Sequence, residues 1–411
     1  MSSEFHDKLI TRLTTYANVG TQSKENSDKS PSSDEQKILG LKLKDELISF
    51  GLDVNVDEYG YVYGKLKGSL NNVSSIGFVS HLDTAPGVPA FNIEPRVHKV
   101  KQGVDIILED DVVISAKDII NYVGDTIITS NGKTLLGADD KAGVSVIMTA
   151  IEKISSSFKG DHGDIYVMFN PDEEIGEGTK NFNPKKFPVK FAYTLDGEGV
   201  GEIECETFYA AKAVISVKGR TAHPGQGGYQ KLVNPVSIAC EYENAIPSTE
   251  RPESTKGRFG FYYPSNISGN PHQATLEISI RDFEKDGLTR RKTFLTKLAE
   301  VHNNTYGTGT VTLQITDQYP NMKSELDRNP DALNIAILAM KNSGVEKPSF
   351  PSIRGGTDGA MLTVKYGIPT PNISAGMHNI HSVKEFASVN EMTVAVNFIL
   401  NTVKIISEKY N

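Results

Sequence analysis

Short apolar runs in this chain lead directly into residues of the types that can bind metal ions or transfer protons. A run at residues 76–80 leads into His81, and another at residues 191–195 leads to Asp196. Runs of this length are typical of buried strands. Because the carboxyl ends of parallel strands meet at one edge of an open α/β sheet, where such folds build their sites, the pattern predicts an α/β fold with one polar site.

Apolar residues at helical spacing predict further elements of this main domain. A first helix is predicted from Phe5, Leu9, Ile10, Leu13 and Tyr16. A second is predicted from Ile38, Leu41, Leu47 and Ile48. A helix over residues 141–154, followed by strands over 165–170 and 191–195, is typical of a parallel βαβ sheet. Residues 102–125 are polar and irregular, and no element is assigned to them.

A different order of elements begins after residue 206. Alternating and helical patterns there predict strand, helix, strand, strand, helix and strand in turn, which is a ferredoxin-like unit. We therefore expect a main domain with a mixed, largely parallel sheet flanked by helices, formed by residues 1–206 and 319–411. An inserted α+β domain is expected at residues 207–318.

Charge and cysteine content narrow the class of function. The net charge is −8 and the isoelectric point about 5.7, which argues against a nucleic-acid partner because phosphate contacts need a basic face. The two cysteines, Cys205 and Cys240, cannot form a disulfide framework. No apolar stretch approaches the roughly 20 residues of a membrane span. We expect no membrane association, a small-molecule partner and a cytoplasmic location.

The polar residues at the strand exits match the needs of two divalent metal ions. A two-metal hydrolase holds its cations ~3.5–4 Å apart, so an anionic group must lie between them. Carboxylates suit that position, and imidazoles complete each shell. His81, Asp139 and Asp196 would bind one ion, while Glu174, His381 and the shared Asp139 would bind the other. Taken singly, each of these residues is also common in ordinary turns and hydrogen bonds.

A hydrolase of this kind also needs a proton-transfer group that stays off the metal. Glu173 is assigned this role of general base, with Glu174 as the adjacent ligand, although the spacing alone also permits the reverse. Asp83 lies two residues beyond His81, where it can accept the second imidazole N–H and fix the ring. A simple turn cap is the alternative for Asp83.

Several longer motifs stand out in the chain, at residues 80–84, 134–143, 171–174, 279–283, 353–360 and 379–381. They resemble those of the di-zinc exopeptidases and deacylases that include carboxypeptidase G and succinyl-diaminopimelate desuccinylase. The likeness extends from the first helix to the last, and the longer motifs are specific to the tripeptide aminopeptidase branch.

The resemblance implies an active site and an assembly. Glu173 would be the general base, Asp139 the bridging ligand, and the Asp139–Asp140 peptide bond would be cis. The inserted domain would act as a lid through which two chains form a homodimer. Two Zn²⁺ ions per chain would be bound by His81, Asp139, Glu174, Asp196 and His381.

The resemblance also assigns roles outside the metal ligands. His223 would cross the dimer interface and stabilise the oxyanion in the partner's active site, whereas a surface turn is its alternative. Arg281 and Arg354 are candidates to bind the terminal carboxylate of a substrate, or else form structural ion pairs. His378 stands three residues before His381 and could replace it as the ligand.

These inferences combine into one hypothesis, a cytoplasmic homodimeric zinc aminopeptidase that removes the N-terminal residue from tripeptides. A deacylase or carboxypeptidase of the same family would use the same metals with a different substrate pocket. A non-catalytic binding protein that retains the fold is a rival from another class. It is disfavoured because no proposed ligand or base is missing.

Overall fold

The structure is a computed structural model that describes residues 4–70, 72–157, 161–228 and 231–410. The chain forms two compact units. The first consists of Met1–Cys205, Ser324–Pro351 and Thr357–Asn411, and the second of Glu206–Lys323 and Ser352–Gly356.

Helices and strands are numbered here in chain order. The helices are α1 His6–Ala17, α2 Asp34–Ser49, α3 Ala138–Ser157, α4 Pro235–Asn244, α5 Lys285–Tyr306, α6 Lys323–Arg328, α7 Asp331–Asn342, α8 Asp358–Tyr366 and α9 Val389–Tyr410. The strands are β1 Asp53–Val56, β2 Val62–Leu66, β3 Ile76–His81, β4 Arg96–Lys99, β5 Ile106–Ile107, β6 Val113–Ile114, β7 Thr126–Thr129, β8 Ile165–Asn170, β9 Phe191–Gly197, β10 Ile203–Glu204, β11 Tyr209–Lys218, β12 Phe261–Gly269, β13 Gln273–Asp282, β14 Val311–Tyr319, β15 Asn372–Ser374, β16 Met377–His378 and β17 Phe386–Ser388.

A mixed sheet of seven strands forms the centre of the first unit, in the order β1-β2-β8-β3-β9-β15-β10. Its middle strands β8, β3, β9 and β15 are parallel, and the pairs at both edges are antiparallel. Every residue of β3 and β8 is buried, as expected for strands covered on both faces. The mixed α/β sheet predicted from the apolar runs is therefore confirmed.

The helix α2 is present where the sequence predicts it, but a different face is buried. Leu39, Leu43 and Leu47 are buried at intervals of one turn, whereas Ile38 is 58% exposed and Leu41 50% exposed. The predicted face was wrong, apart from Leu47, because apolar residues occur on both sides of this helix. Periodicity alone could not choose between the two faces.

A small sheet contains β4 and β7, the two strands that flank residues 102–125, to which the sequence assigned no element. It has the order β16-β17-β7-β4 and is entirely antiparallel. Within residues 102–125, the strands β5 and β6 form an antiparallel pair of two residues each. Ile114 of β6, Ile127 of β7 and Phe386 of β17 belong to one buried cluster. The pairing of β17 with β7 matters for the site, because Asp139 lies in the segment that follows β7 and His381 in the segment that precedes β17.

The second unit contains a four-stranded antiparallel sheet in the order β12-β13-β11-β14. Along the chain, its elements are strand, helix, strand, strand, helix and strand, a ferredoxin-like arrangement. Ile238 of α4 and Leu295 of α5 are buried in the same core as Leu276 of β13. In the described part of the chain, no helix combines the length and apolar character needed to cross a membrane.

Candidate metal centre

Three neighbouring strands deliver candidate ligands to the same edge of the central sheet. His81 is the last residue of β3 and pairs in register with Asn170, the last residue of β8. Asp196 lies near the end of β9, and Glu174 lies in the short 3-10 turn Glu173–Ile175 that follows β8. Parallel pairing of these strands therefore gathers residues that are far apart in sequence.

Asp139 lies between two histidines. Its Oδ1 atom is 2.9 Å from Nε2 of His81, and its Oδ2 atom is 3.2 Å from Nε2 of His381. It stands at the start of α3, and the peptide bond between Asp139 and Asp140 is cis, as the resemblance implies. One carboxylate thus presents a separate oxygen to each imidazole.

The remaining two candidate ligands complete the same group. His81 Nε2 is 3.5 Å from Oδ1 of Asp196, and His381 Nε2 is 3.0 Å from a carboxylate oxygen of Glu174. His81, Asp139 and Glu174 each offer one potential ligand atom, and these three atoms lie within 4.8 Å of one another. The structure therefore brings together all five residues selected from the sequence as metal ligands.

Asp140 is a further buried carboxylate of the site. The sequence predicted no role for its side chain. Together with His81 and Asp196, it forms a second group whose ligand atoms lie within 4.8 Å. However, its oxygens already accept hydrogen bonds from the Ser80 hydroxyl and from the backbone N–H groups of His81 and Gly143. We therefore favour Asp139 as the ligand, because its oxygens face the histidine Nε2 atoms instead.

Asp83 lies behind His81 and is fully buried. The Nδ1 atom of His81 is 3.1 Å from the backbone oxygen of Asp83 and 3.3 Å from its Oδ1 atom. Both neighbours are oxygens, so Nδ1 carries a proton and donates it, and the other ring nitrogen, Nε2, faces Asp139 and Asp196. The carboxylate of Asp83 also accepts the backbone N–H groups of Glu173 and Glu174.

The electrostatics of the centre favour bound cations. Burial, followed by repulsion from Asp139, raises the pKa of Glu174 to about 7, and burial raises the pKa of Asp196 to about 7. Hydrogen bonds with Asp139 and Glu174 raise the pKa of His381 to about 10. Burial opposes ionisation of Asp139, but hydrogen bonds from His381 and His81 outweigh it and lower its pKa. The centre therefore contains more carboxylates than positively charged groups that could neutralise them. Its set of carboxylate and imidazole donors fits divalent metal ions.

Glu173 differs from Glu174 in its surroundings. In the ranges that the structure describes, the Glu173 carboxylate makes no hydrogen bond with His81 or His381, whereas Glu174 faces His381. Burial, followed by repulsion from Asp358, raises the pKa of Glu173 well above its ordinary value. Asp358 was part of a motif noted in the sequence, without an assigned role, and it accepts a hydrogen bond from Asn170.

His378 is oriented toward other partners. Its Nε2 atom is 2.5 Å from a carboxylate oxygen of Glu391 and 3.0 Å from the hydroxyl of Tyr122. Its ring also stacks on Phe386. His381, in contrast, contacts two candidate ligands, so the geometry favours His381 over His378 as the metal ligand.

The other three candidates belong to the second unit. His223 is exposed, and its Nδ1 atom accepts the backbone N–H of Gly225 at 3.2 Å. Arg281 donates to the Gln318 side chain and stacks on Tyr319. Arg354 donates to the backbone oxygens of Gly257 and Phe259, and stacks on Phe208 and Phe261. Neither guanidinium forms an ion pair with a carboxylate of residues 4–70, 72–157, 161–228 or 231–410.

Comparison with known proteins identifies the family. The model of Peptidase family M20/M25/M40 matches residues 130–405. The chain belongs to this family. It is 40% identical to the Peptidase T of Caldanaerobacter subterraneus subsp. tengcongensis, over 98% of this chain and 99% of the relative. It is 42% identical to a Peptidase T of Clostridium perfringens, over 98% of this chain and 100% of the relative. The resemblance predicted from the motifs is confirmed, and this M20 chain is a metallopeptidase.

Solved structures of family members share the M20 fold. A tripeptidase from Staphylococcus aureus matches with a TM-score of 0.77 at 21% identity, covering 98% of this chain and 99% of that one. The aminopeptidase PepT from Bacillus cereus matches with a TM-score of 0.76 at 22% identity, covering 98% of both chains. At these identities the structural likeness supports the fold alone.

Proposed function

We propose that this metallopeptidase is an aminopeptidase that releases the N-terminal residue from tripeptides with the help of two zinc ions. The observation that carries the proposal is the position of Asp139, whose two carboxylate oxygens face His81 and His381 separately. A bridging carboxylate with one imidazole on each side is the donor arrangement that a pair of cations requires. Relatives named Peptidase T, which are 40% and 42% identical to this chain, support the substrate class.

The residues of the centre fit two zinc ions. His81, Asp139 and Asp196 would hold one ion, and Asp139, Glu174 and His381 the other. When bound, such a pair polarises a scissile carbonyl and makes a nucleophile from water at neutral pH. We assign proton transfer to Glu173, which would accept a proton from the attacking water and donate it to the leaving amine. Its raised pKa suits both halves of that exchange.

Two arginines are proposed to recognise the far end of the substrate. The hydrogen bonds of Arg281 and Arg354 go to neutral oxygens, so both guanidinium groups keep an unneutralised charge. A guanidinium matches a carboxylate with two parallel hydrogen bonds. Recognition of both peptide ends would restrict the enzyme to short substrates.

The second unit is proposed to act as a lid and dimerisation domain in a cytoplasmic homodimer. This proposal extends to His223, which would donate a hydrogen bond to the oxyanion in the partner's active site. Because Nδ1 of His223 accepts a hydrogen bond from Gly225, the neutral ring carries its proton on Nε2, which supports a donor role. The chain has only two cysteines, Cys205 and Cys240, which suits a reducing compartment, where disulfide frameworks are rare.

The reaction can be distinguished from that of a deacylase or carboxypeptidase with three substrates. Zinc-loaded protein is incubated with one tripeptide, its N-acetylated form and its C-terminal amide, and the products are identified by mass spectrometry. We expect release of the N-terminal residue from the free tripeptide, slower cleavage of the amide, and none of the acetylated peptide.

The same experiment can contradict the proposal in two ways. Equal cleavage of the acetylated tripeptide would mean that a free amino group is not required, which points to a deacylase. Release of the C-terminal residue would indicate a carboxypeptidase. Absence of all turnover in protein that binds two metal ions per chain would favour a non-catalytic binding protein.

A further inference from the structure

Glu385 is a buried carboxylate beside the metal centre, with a side chain that is only 1% exposed. Its Oε2 atom accepts the backbone N–H of Leu136 at 2.7 Å and that of Gly137 at 2.8 Å. Its Oε1 atom accepts the backbone N–H of Asp139 at 3.0 Å. Both oxygens therefore bind the loop that carries the bridging aspartate.

This loop is shaped to receive an anion. Gly137 adopts a left-handed backbone conformation with a φ of +74°, and the neighbouring N–H groups converge on one point, as in anion-binding nests. A side chain at Gly137 would lie 2.9 Å from both Thr84 and Lys141, so the loop is also tightly packed. Since a buried N–H without an acceptor is costly, the conformation of the loop depends on the Glu385 carboxylate.

The segment that contains Glu385 contacts Asp139 twice. His381, four residues earlier, lies 3.2 Å from the Oδ2 atom of Asp139 through its Nε2 atom. Glu385 itself immediately precedes β17, in which Phe386 pairs with Thr129 of β7. One segment thus contacts the side chain of Asp139 with an imidazole and its backbone with a carboxylate.

We propose that Glu385 is a positioning residue that orients the Asp139 carboxylate between the two metal ions. The inference rests on the proposed two-metal function. A bridging carboxylate must direct one oxygen to each ion, so a rotation of the Asp139 backbone would withdraw at least one of them. Glu385 would therefore act through metal affinity and not through proton transfer, and groups that orient ligands typically change metal affinity about 10–100-fold.

The test measures zinc affinity in the absence of peptide. In Glu385→Gln, the shape is kept, but one acceptor oxygen becomes an NH₂ group that faces backbone N–H donors. We expect zinc to bind about 10–100-fold more weakly in competition with a chromophoric chelator, and the visible spectrum of bound Co²⁺, which reports coordination geometry, to change. Glu385→Asp keeps both acceptors on a shorter side chain, so it should recover part of the affinity.

A matched control is available in Asp125→Asn. Asp125 is a buried carboxylate nearby that accepts hydrogen bonds from the Ser388 hydroxyl and the backbone N–H of Asn390, and not from the Asp139 loop. This variant should bind zinc with unchanged affinity and give an unchanged Co²⁺ spectrum. Equal weakening in Asp125→Asn and Glu385→Gln would overturn the proposal, because it would indicate a general loss of structure.

Two further outcomes are decisive. Unchanged zinc affinity in a folded Glu385→Gln protein would overturn the proposal. If that variant does not fold, Glu385→Asp takes its place, and unchanged affinity there has the same meaning. Since no peptide is used, the result is independent of the substrate: a protein that binds two zinc ions but does not cleave tripeptides would contradict the proposed activity and leave the role of Glu385 intact.

Discussion

The carboxylate of Asp83 accepts the backbone N–H of Glu173 at 3.0 Å. Its second oxygen accepts the N–H of Glu174 at 3.1 Å, and its first lies 3.3 Å from Nδ1 of His81. One buried side chain thus connects the imidazole at the end of β3 with both glutamates after β8. A disturbance of Asp83 should affect a ligand and the proposed base together.

We therefore predict that Asp83→Asn lowers kcat/KM for a tripeptide by about 10–100-fold and also weakens zinc binding. An amide retains only one acceptor oxygen, so one of the two glutamate N–H groups loses its partner. Asp57→Asn serves as the control, because the Asp57 carboxylate also accepts two backbone N–H groups, those of Tyr59 and Tyr61, both on its Oδ1 atom. Both quantities are measured by steady-state kinetics and zinc titration. Equal losses of kcat/KM and of zinc affinity in the two variants would contradict a specific role for Asp83.

The contacts of Asp83 also show where the sequence stops being informative. Apolar runs predict buried strands, and parallel strands place His81 and Asp196 at one edge, so these positions could be predicted from local pattern. The hydrogen bonds that the Asp83 carboxylate accepts from the N–H groups of the two glutamates join segments about 90 residues apart. They depend on how the turn after β8 approaches β3. No periodicity encodes that approach.

The elements that the sequence did not predict have a similar explanation. Strands such as β5 and β6 contain two residues each, too few to show alternation. Asp140 was not assigned because a pair of adjacent aspartates does not indicate which carboxylate faces the histidines. Glu385 was not assigned because its partners are backbone N–H groups, which are the same for every residue type except proline.

The two adjacent glutamates should respond differently to the same substitution. Glu173→Gln removes the proposed proton acceptor but no proposed ligand, so we expect both zinc ions to remain and kcat to fall by about 10²–10⁴-fold. Glu174→Gln removes a carboxylate that lies 3.0 Å from His381, so we expect loss of metal as well as activity. Metal content by mass spectrometry, measured alongside kcat, separates the two effects. Loss of zinc from Glu173→Gln but not from Glu174→Gln would mean that the roles are exchanged.

Removal of metal should change how stability depends on pH. In the metal-free protein, Glu174 and Asp196 have pKa values of about 7, whereas unfolded carboxyl groups titrate near ~4. The folded state therefore binds more protons across this interval, and the free energy of unfolding falls as pH rises. His381 has a pKa of about 10 in the folded protein, whereas an unfolded histidine titrates near ~6.5. It therefore extends the fall in the free energy of unfolding to pH values above ~6.5. The lowered pKa of Asp139 acts in the opposite sense, but only below ~4.

Zinc should counteract this trend, because metal binding requires deprotonated ligands and strengthens as pH rises. We predict that the Tm of chelator-treated protein falls between about pH 5 and pH 8, and that the difference in Tm between zinc-loaded and metal-free protein grows over the same interval. Circular dichroism melts of the two forms test this. Parallel curves, or a metal-free Tm that rises with pH, would contradict the proposed site.

The role proposed for His223 can be tested by mixing inactive chains. In a heterodimer of His223→Ala and Glu173→Gln chains, one site would combine an intact Glu173 with the partner's intact His223, and the other site would lack both. Purified mixed dimers should therefore have about half of the unmodified activity, because each has one complete site out of two. Activity is measured after separate tags have been used to purify mixed dimers, with unmixed variants as controls. Mixed dimers that remain as inactive as the parents would show that His223 does not act across the interface.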